Sequence, residues 1–216
     1  MVKKKNNNEI QIAPIFATPV MEVQLDLDLE KLTEFTFQMQ NKDKKGDQKT
    51  NKGGWHSNSI HEEKHEEFIR LKKEINQYLQ IYRSEIFRGM VFKENIVLST
   101  SGMWVNVNEK HHYNEWHIHG NSTLSGTYYI KHDGSKEQGD IIFKHPKNLY
   151  IESAHWPEGI IKNTNIVTSG VVNIKPKSNM LLIFPSWLEH KVGNNLKDDT
   201  RISLSFNSNI ISEKKS

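Results

Sequence analysis

In Thr200-Arg201-Ile202-Ser203-Leu204-Ser205-Phe206-Asn207, polar and apolar side chains alternate strictly from Arg201 onward. Successive side chains of a β-strand point to opposite faces, so Ile202, Leu204 and Phe206 share one face while Arg201, Ser203, Ser205 and Asn207 share the other. A helix would scatter both sets. An arginine at the head of the polar stripe of a core strand is costly to bury unless it meets an anion. A guanidinium grips a carboxylate through two parallel hydrogen bonds, and neighbouring hydroxyls add more. The plain alternative is an outward-facing arginine on an edge strand.

The same two-residue period recurs upstream. From Asn95 onward, short alternating runs are separated by turn residues, with strands predicted at 96–100, 102–108, 115–119, 124–131, 140–144, 166–174, 180–184 and 201–207. Before them, Phe68, Leu71, Ile75, Leu79 and Tyr82 recur at spacings of three and four, which predicts a helix over Ile60–Phe87. Strands following one long helix predict a mainly β (α+β) fold, an antiparallel sandwich or jelly roll with helices packed outside.

The remaining N-terminal stretch reads as flanking structure. Ile10–Gln24 carries two prolines and suits an edge strand, because proline cannot donate to a ladder. Leu25–Met39 suits a short helix with Leu29, Leu32, Phe35 and Phe37 near one side. Asn41–Gly54 is polar, glycine-punctuated and aperiodic, a loop. The expected organisation is a disordered tail at 1–9, a single domain over 10–211 (flanking strand and helices at 10–94, β core at 95–211) and a tail at 212–216.

Composition narrows the function classes. A chain of 216 residues fits one domain. The net charge is only +3, and the basic runs lie at the termini and over Lys42–Lys52 rather than in a stripe, which argues against a nucleic-acid partner. There is no cysteine, so thiol chemistry and disulfides are excluded. No apolar run approaches the roughly 18 residues of a membrane span, and no apolar segment follows the charged N-terminus. The expected compartment is the cytoplasm, a host's cytoplasm if the source is a virus. Heavy use of Lys, Asn and Ile hints at a genome rich in A and T. The proline-bearing strand near the N-terminus could pair across a two-fold in a homodimer.

Eleven histidines are many for this length. His56, His61, His65, His111, His112, His132, His145 and His155 stand in polar or turn-like contexts and read as surface residues. His61 and His65 are four apart on the expected helix, but among glutamates on its wet face. Three others differ. In Glu115-Trp116-His117-Ile118-His119, a strand puts Glu115, His117 and His119 on one face, where two imidazoles can share a metal ion. In the run Met180–Val192 (MLLIFPSWLEHKV), Pro185 ends a buried strand and the turn after it delivers His190 to a new extended stretch. A third imidazole from an opposing strand would complete a facial cap. The alternative is a hydrogen-bonded core histidine. In Leu124–Ile130 (LSGTYYI), Ser125, Thr127 and Tyr129 share a face, so the Tyr129 hydroxyl could reach the anion that Arg201 binds.

Taken together these segments resemble the iron(II)- and 2-oxoglutarate-dependent oxygenases. Prolyl-hydroxylase-like members run His-x-Asp, a turn, a strand ending in Tyr-Tyr, a distal His, then Arg-x-Ser. This chain runs His117-Ile118-His119, Gly120-Asn121-Ser122, Tyr128-Tyr129, His190, then Arg201-Ile202-Ser203. The phrases HIHGNSTLSGTYYI, LLIFPSWLEHKV and RISLSFN, with GGWHS and MWVNVN before them, are similar to a family of such oxygenases common in marine bacteria and phages. The resemblance implies a double-stranded β-helix with N-terminal flanking helices. It implies an oxidoreductase that decarboxylates 2-oxoglutarate to succinate and carbon dioxide while hydroxylating a substrate, with iron(II), dioxygen and a place for ascorbate. It implies that His117 and His190 bind iron, that Arg201 and Ser203 bind the distal carboxylate of 2-oxoglutarate with help from Tyr129, and that Asn106 lines that pocket. Trp104, Trp187 and the loop at 41–54 are candidates for the substrate wall.

One departure stands out. The family's usual triad is two histidines and a carboxylate, and His119 stands where the carboxylate belongs. His119 could ligate as a third imidazole, Glu115 could supply the carboxylate, or the position could be open. Two rival readings remain. A cupin-like three-histidine enzyme would share the barrel and the ligands, but needs no Arg201-x-Ser203 with Tyr129. A non-catalytic β-helix would bind a partner or serve a structural role.

Overall fold

In the computed structural model the described residues are 2–5, 8–11, 15–47, 49–92, 95–147, 162–163, 165–166 and 168–212. Two antiparallel sheets face each other across most of the chain. The larger takes the order β3 (Met21–Gln24), β11 (Met180–Pro185), β8 (Leu124–Lys131), β13 (Arg201–Ser212), β6 (Ile96–Asn108) and β5 (Trp55–His56). The smaller takes the order β10 (Val171–Ile174), β9 (Ile141–Lys144), β12 (His190–Val192), β7 (Tyr113–His117) and β4 (Asn51–Lys52). This is a double-stranded β-helix, mainly β with helices outside. Where the sequence reads as a tail, β1 (Val2–Lys5) pairs with β2 (Asn8–Gln11) as a separate ribbon.

Strict alternation in the six-stranded sheet sorts its side chains between two compartments. Ile202, Leu204 and Phe206 of β13, Val105 and Val107 of β6, Tyr128 and Ile130 of β8, and Leu181 and Ile183 of β11 pack with the helices in one core. Met180, Leu182 and Phe184 of β11 and Tyr129 of β8 point the other way and join Ile141 and Phe143 of the opposing sheet in a second, smaller core. A slip of one residue in register would exchange the two sets.

The helices are α1 (Leu29–Lys42) and α2 (Glu66–Ile86). Asp28 caps α1, its carboxylate accepting a hydrogen bond from the Lys31 N–H at 3.1 Å. Phe68, Leu71, Ile75, Leu79 and Tyr82 form the buried face of α2 that the spacing predicts. The N-terminal boundary of α2 differs from expectation by six residues. Residues 57–60 instead run beside β6, with Ser57 N–H donating to Val105 O at 2.9 Å and Ile60 N–H to Met103 O at 2.8 Å. Tertiary pairing overrides local helical periodicity there. His61 and His65 therefore precede the helix. The His65 ring stacks on Phe35 with centroids 4.1 Å apart, a packed rather than a wet position.

Other boundaries shift for similar reasons. The two strands expected at 96–108 are one strand, β6, whose pairing with β13 slips at Asn207/Ser208. The loop expected at 41–54 contains the short strand β4, which pairs with β7. The edge strand expected at Ile10–Gln24, of which residues 12–14 lie outside the described residues, includes β3 on the sheet edge and part of β2 of the ribbon. Among the described residues no helix is long and apolar enough to cross a membrane.

Candidate functional site

Strand β7 ends on His117, and β12 begins on His190 directly opposite it, the two being register partners. The His117 Nδ1–H donates to Glu115 O at 2.7 Å, and the His190 Nδ1–H donates to Leu188 O at 2.8 Å. A carbonyl can only accept, so each ring carries its proton on Nδ1 and keeps its Nε2 lone pair free. His119 lies just past the end of β7, where its backbone N–H donates to Ser186 O at 2.9 Å and laces its turn to the one after β11. The ring centroids lie 4.3 Å apart for His117 and His190, 5.1 Å for His117 and His119, and 5.2 Å for His119 and His190. One nitrogen from each ring falls within 4.8 Å of the others.

Burial keeps these imidazoles neutral. Desolvation, with a smaller contribution from His117, lowers His119 to about 4 and His190 to about 3, and desolvation lowers His117 as well. Neutral imidazole is the ligating form, and three such nitrogens suit a first-row divalent ion such as iron(II). The donor set fits a metal. Glu115 is not part of the cluster, since its half-exposed carboxylate pairs with Lys52 at 3.3 Å.

Arg201 opens β13 on the inward face and is only 2% exposed. Its Nη1 donates to Gln138 O at 2.8 Å and to Gly193 O at 3.0 Å. Burial lowers it to about 10, which leaves it cationic at neutral pH. Among the described residues no carboxylate lies within ion-pair distance of it. Gly139 (φ +91°) makes the close approach possible, because a Cβ there would fall 2.3 Å from Arg201 Nη1 and 2.4 Å from Gly193 O. Ser203 follows two residues on and is the register partner of Tyr129 on β8 and of Asn106 on β6. The Tyr129 phenol is fully buried and its pKa is raised by desolvation, so it is a neutral donor.

A cavity of about 270 Å³ between the sheets is lined by His117, His119 and His190 together with Arg201, Ser203, Tyr129 and Asn106. Those seven residues therefore meet in one chamber, while Glu115 stays outside it. Among the described residues no aspartate or glutamate lines it. Trp104 contributes to the wall, and so do Lys49 and Thr50 of the loop at 41–54, whereas Trp187 does not.

Two histidines read as surface residues are buried. His56, 6% exposed, lines the cavity and stacks on Trp104 with centroids 5.6 Å apart and planes 14° apart. His132 is buried 5.8 Å from the Tyr129 ring. The available signal for His56 was its place in Gly53-Gly54-Trp55-His56-Ser57, where a glycine turn returns a bulky pair into the sheet. His111 is exposed and His112 and His145 are half-buried, while His155 lies outside the described residues.

Comparisons with known proteins align with this geometry. A family model described as "Putative 2OG-Fe(II) oxygenase" matches residues 102–207. No curated protein matches the chain. Among solved structures, a Pseudomonas putida prolyl-4-hydroxylase is similar at TM-score 0.57 and 12% identity, covering 89% of this chain and 93% of its own. The viral collagen prolyl hydroxylase of Paramecium bursaria Chlorella virus-1, solved with 2-oxoglutarate, superposes at TM-score 0.55 and 12% identity, covering 88% and 94%. HygX from Streptomyces hygroscopicus, with nickel and 2-oxoglutarate bound, gives TM-score 0.56 and 12% identity over 89% and 83%. At such identities these likenesses speak for the fold.

Proposed function

The chain belongs to the 2-oxoglutarate/Fe(II) oxygenase family through residues 102–207, and from that premise we propose that His117, His119 and His190 hold iron(II) while Arg201 anchors 2-oxoglutarate in the same cavity. The observation that carries this reading is the buried guanidinium of Arg201. A cation 2% exposed whose hydrogen-bond partners among the described residues are backbone carbonyls is a poor structural element but a prepared anion site.

The residues divide the work. Arg201 grips the distal carboxylate of 2-oxoglutarate, and the Ser203 hydroxyl and the Tyr129 phenol donate to it. Asn106, opposite Ser203, borders the same subsite. The described lining carries no acidic side chain, which suits a dianion. Iron(II), when bound, supplies the redox chemistry that couples dioxygen to oxidative decarboxylation. In balance, one substrate C–H, one dioxygen and one 2-oxoglutarate give one C–OH, one succinate and one carbon dioxide. The protein's part is to position the co-substrate and shield the centre from water.

Purified protein incubated with iron(II), ascorbate, dioxygen and 2-oxoglutarate should release succinate, and Arg201→Ala should abolish that release. Wild-type protein that neither forms succinate nor binds 2-oxoglutarate when metal-loaded would overturn the reading. Metal content in His119→Ala and Glu115→Ala separates the two candidate third ligands, with loss expected only for His119→Ala.

A further inference from the structure

The three imidazoles are not held alike. His117 and His190 are each locked by an Nδ1–H bond to the carbonyl two residues before them. His119 has no side-chain hydrogen bond among the described residues, and it sits beyond the end of β7. Its backbone bond to Ser186 O fixes the main chain but not the ring.

A run of aromatic contacts takes the place of the missing lock. The His119 ring lies 5.8 Å from the Trp104 ring, at 44° between planes. Trp104 in turn lies 5.6 Å from His56, nearly parallel to it. His56 is pinned by Nδ1–H donation to Ser57 O at 2.7 Å. Ser57 is itself tied to β6 twice, donating its N–H to Val105 O at 2.9 Å while its Oγ accepts from Val105 N–H at 2.9 Å. A continuous chain of contacts thus runs from the rigid six-stranded sheet to the turn that follows β7 in the other sheet. Offset and tilted aromatic pairs at such separations are attractive beyond simple burial.

We propose that Trp104 is a positioning residue for His119, with His56 as its anchor, so that ring contacts orient the third imidazole as backbone carbonyls orient the other two. The proposal rests on the reading that the three histidines hold a metal. It gives Trp104 a role distinct from walling the substrate. It also explains how an imidazole outside the strand can complete a set built on β7 and β12.

The test is titration of the metal-free protein with cobalt(II), reading affinity and the visible d–d spectrum. Loss of a ligand-orienting partner costs roughly 10–100-fold in metal affinity. Trp104→Ala is expected to fall in that range and to acquire the spectrum of His119→Ala. Trp104→Phe keeps an aromatic face and should restore both affinity and spectrum. Trp104→Leu keeps the bulk, protects against simple collapse, and should behave like the alanine variant. Wild-type affinity and spectrum in both Trp104→Ala and Trp104→Leu would overturn the positioning role while leaving the metal site standing. Wild-type protein that binds no cobalt(II) would overturn both.

Discussion

The two sheets differ in how they are covered, and the two halves of the site fall on different sheets. The six-stranded sheet is covered on both sides, by helices on one face and by the cavity and second core on the other. It carries Arg201, Ser203 and Tyr129. On the five-stranded sheet the described residues cover the inner face, and Trp116 and Val171 project from the outer side at 37% and 39% exposure. It carries His117 and His190. The anion anchor is therefore welded to the main core, whereas the imidazoles stand on a layer that can tolerate change. Stability and co-substrate binding should be coupled at the first half, and stability and metal binding should be separable at the second.

The largest effect should come from the strand that carries Arg201. Phe206, fully buried, packs its ring over Gly126, where a Cβ would fall 2.2 Å from it. Phe206→Ala should cost about 3–5 kcal/mol in denaturant unfolding of the metal-free protein. His117→Ala should change the same midpoint little while abolishing metal uptake. A His117→Ala loss as large as that of Phe206→Ala would erase the contrast between the sheets.

Arg201→Met comes next. Hydrogen bonds to a charged group contribute about 1.5–3 kcal/mol each, so 2-oxoglutarate affinity should fall at least about tenfold. Calorimetry on cobalt(II)-loaded protein measures it. Metal affinity should stay put, because Arg201 touches none of the three imidazoles. Unchanged 2-oxoglutarate affinity would move the anchor elsewhere.

Gly139→Ala tests how tightly the anchor is built into the fold. The new methyl meets Arg201 Nη1 and Gly193 O, in a backbone conformation that non-glycine residues rarely adopt. A stability loss of about 1–3 kcal/mol is expected, with a parallel loss of 2-oxoglutarate affinity. Thermal unfolding with and without 2-oxoglutarate separates the two. Lost stability with intact affinity would show that the Gly139 turn supports the sheet but does not aim the guanidinium.

The same contrast explains what could be read from the sequence. β13 and β8 are long and sorted between two compartments, so their alternation declares both the fold and the inward residues Arg201, Ser203 and Tyr129. His-x-His announces itself because a strand would put His117 and His119 on one side, although β7 ends on His117 and the turn after it is what brings His119 to the set. By contrast, β4 and β5 are two residues each and exist only through pairing with β7 and β6, a long-range contact that leaves no period behind. His56 therefore reads as a surface residue from local sequence. His65 reads as part of a wet helix face because the charged run Glu62–Glu67 surrounds it, whereas it caps α2 and its ring stacks on Phe35 of α1, a long-range contact. His132 is buried by the turn around Gly139, and local polarity gives no sign of it.

The smallest effect, and the sharpest test of separability, lies on the outer face of β7. Trp116 is the immediate neighbour of His117 yet points away from the cavity, with the Lys191 and Lys144 ammonium groups 4.8 Å and 5.6 Å from its ring centre. Exposed cation–π contacts contribute about 0.5–1 kcal/mol. Lys144 also pairs with Glu189 at 3.0 Å, so its charge keeps a partner when the ring is removed. Trp116→Ala should thus lower stability by about 1–2 kcal/mol at most and leave cobalt(II) affinity unchanged. The His117 lock does not depend on the neighbouring ring, since its acceptor is the Glu115 carbonyl of the same strand. A tenfold loss of metal affinity in this variant would mean that the outer ring stiffens β7 enough to aim His117, and the two faces of that strand would then have to be treated as one unit.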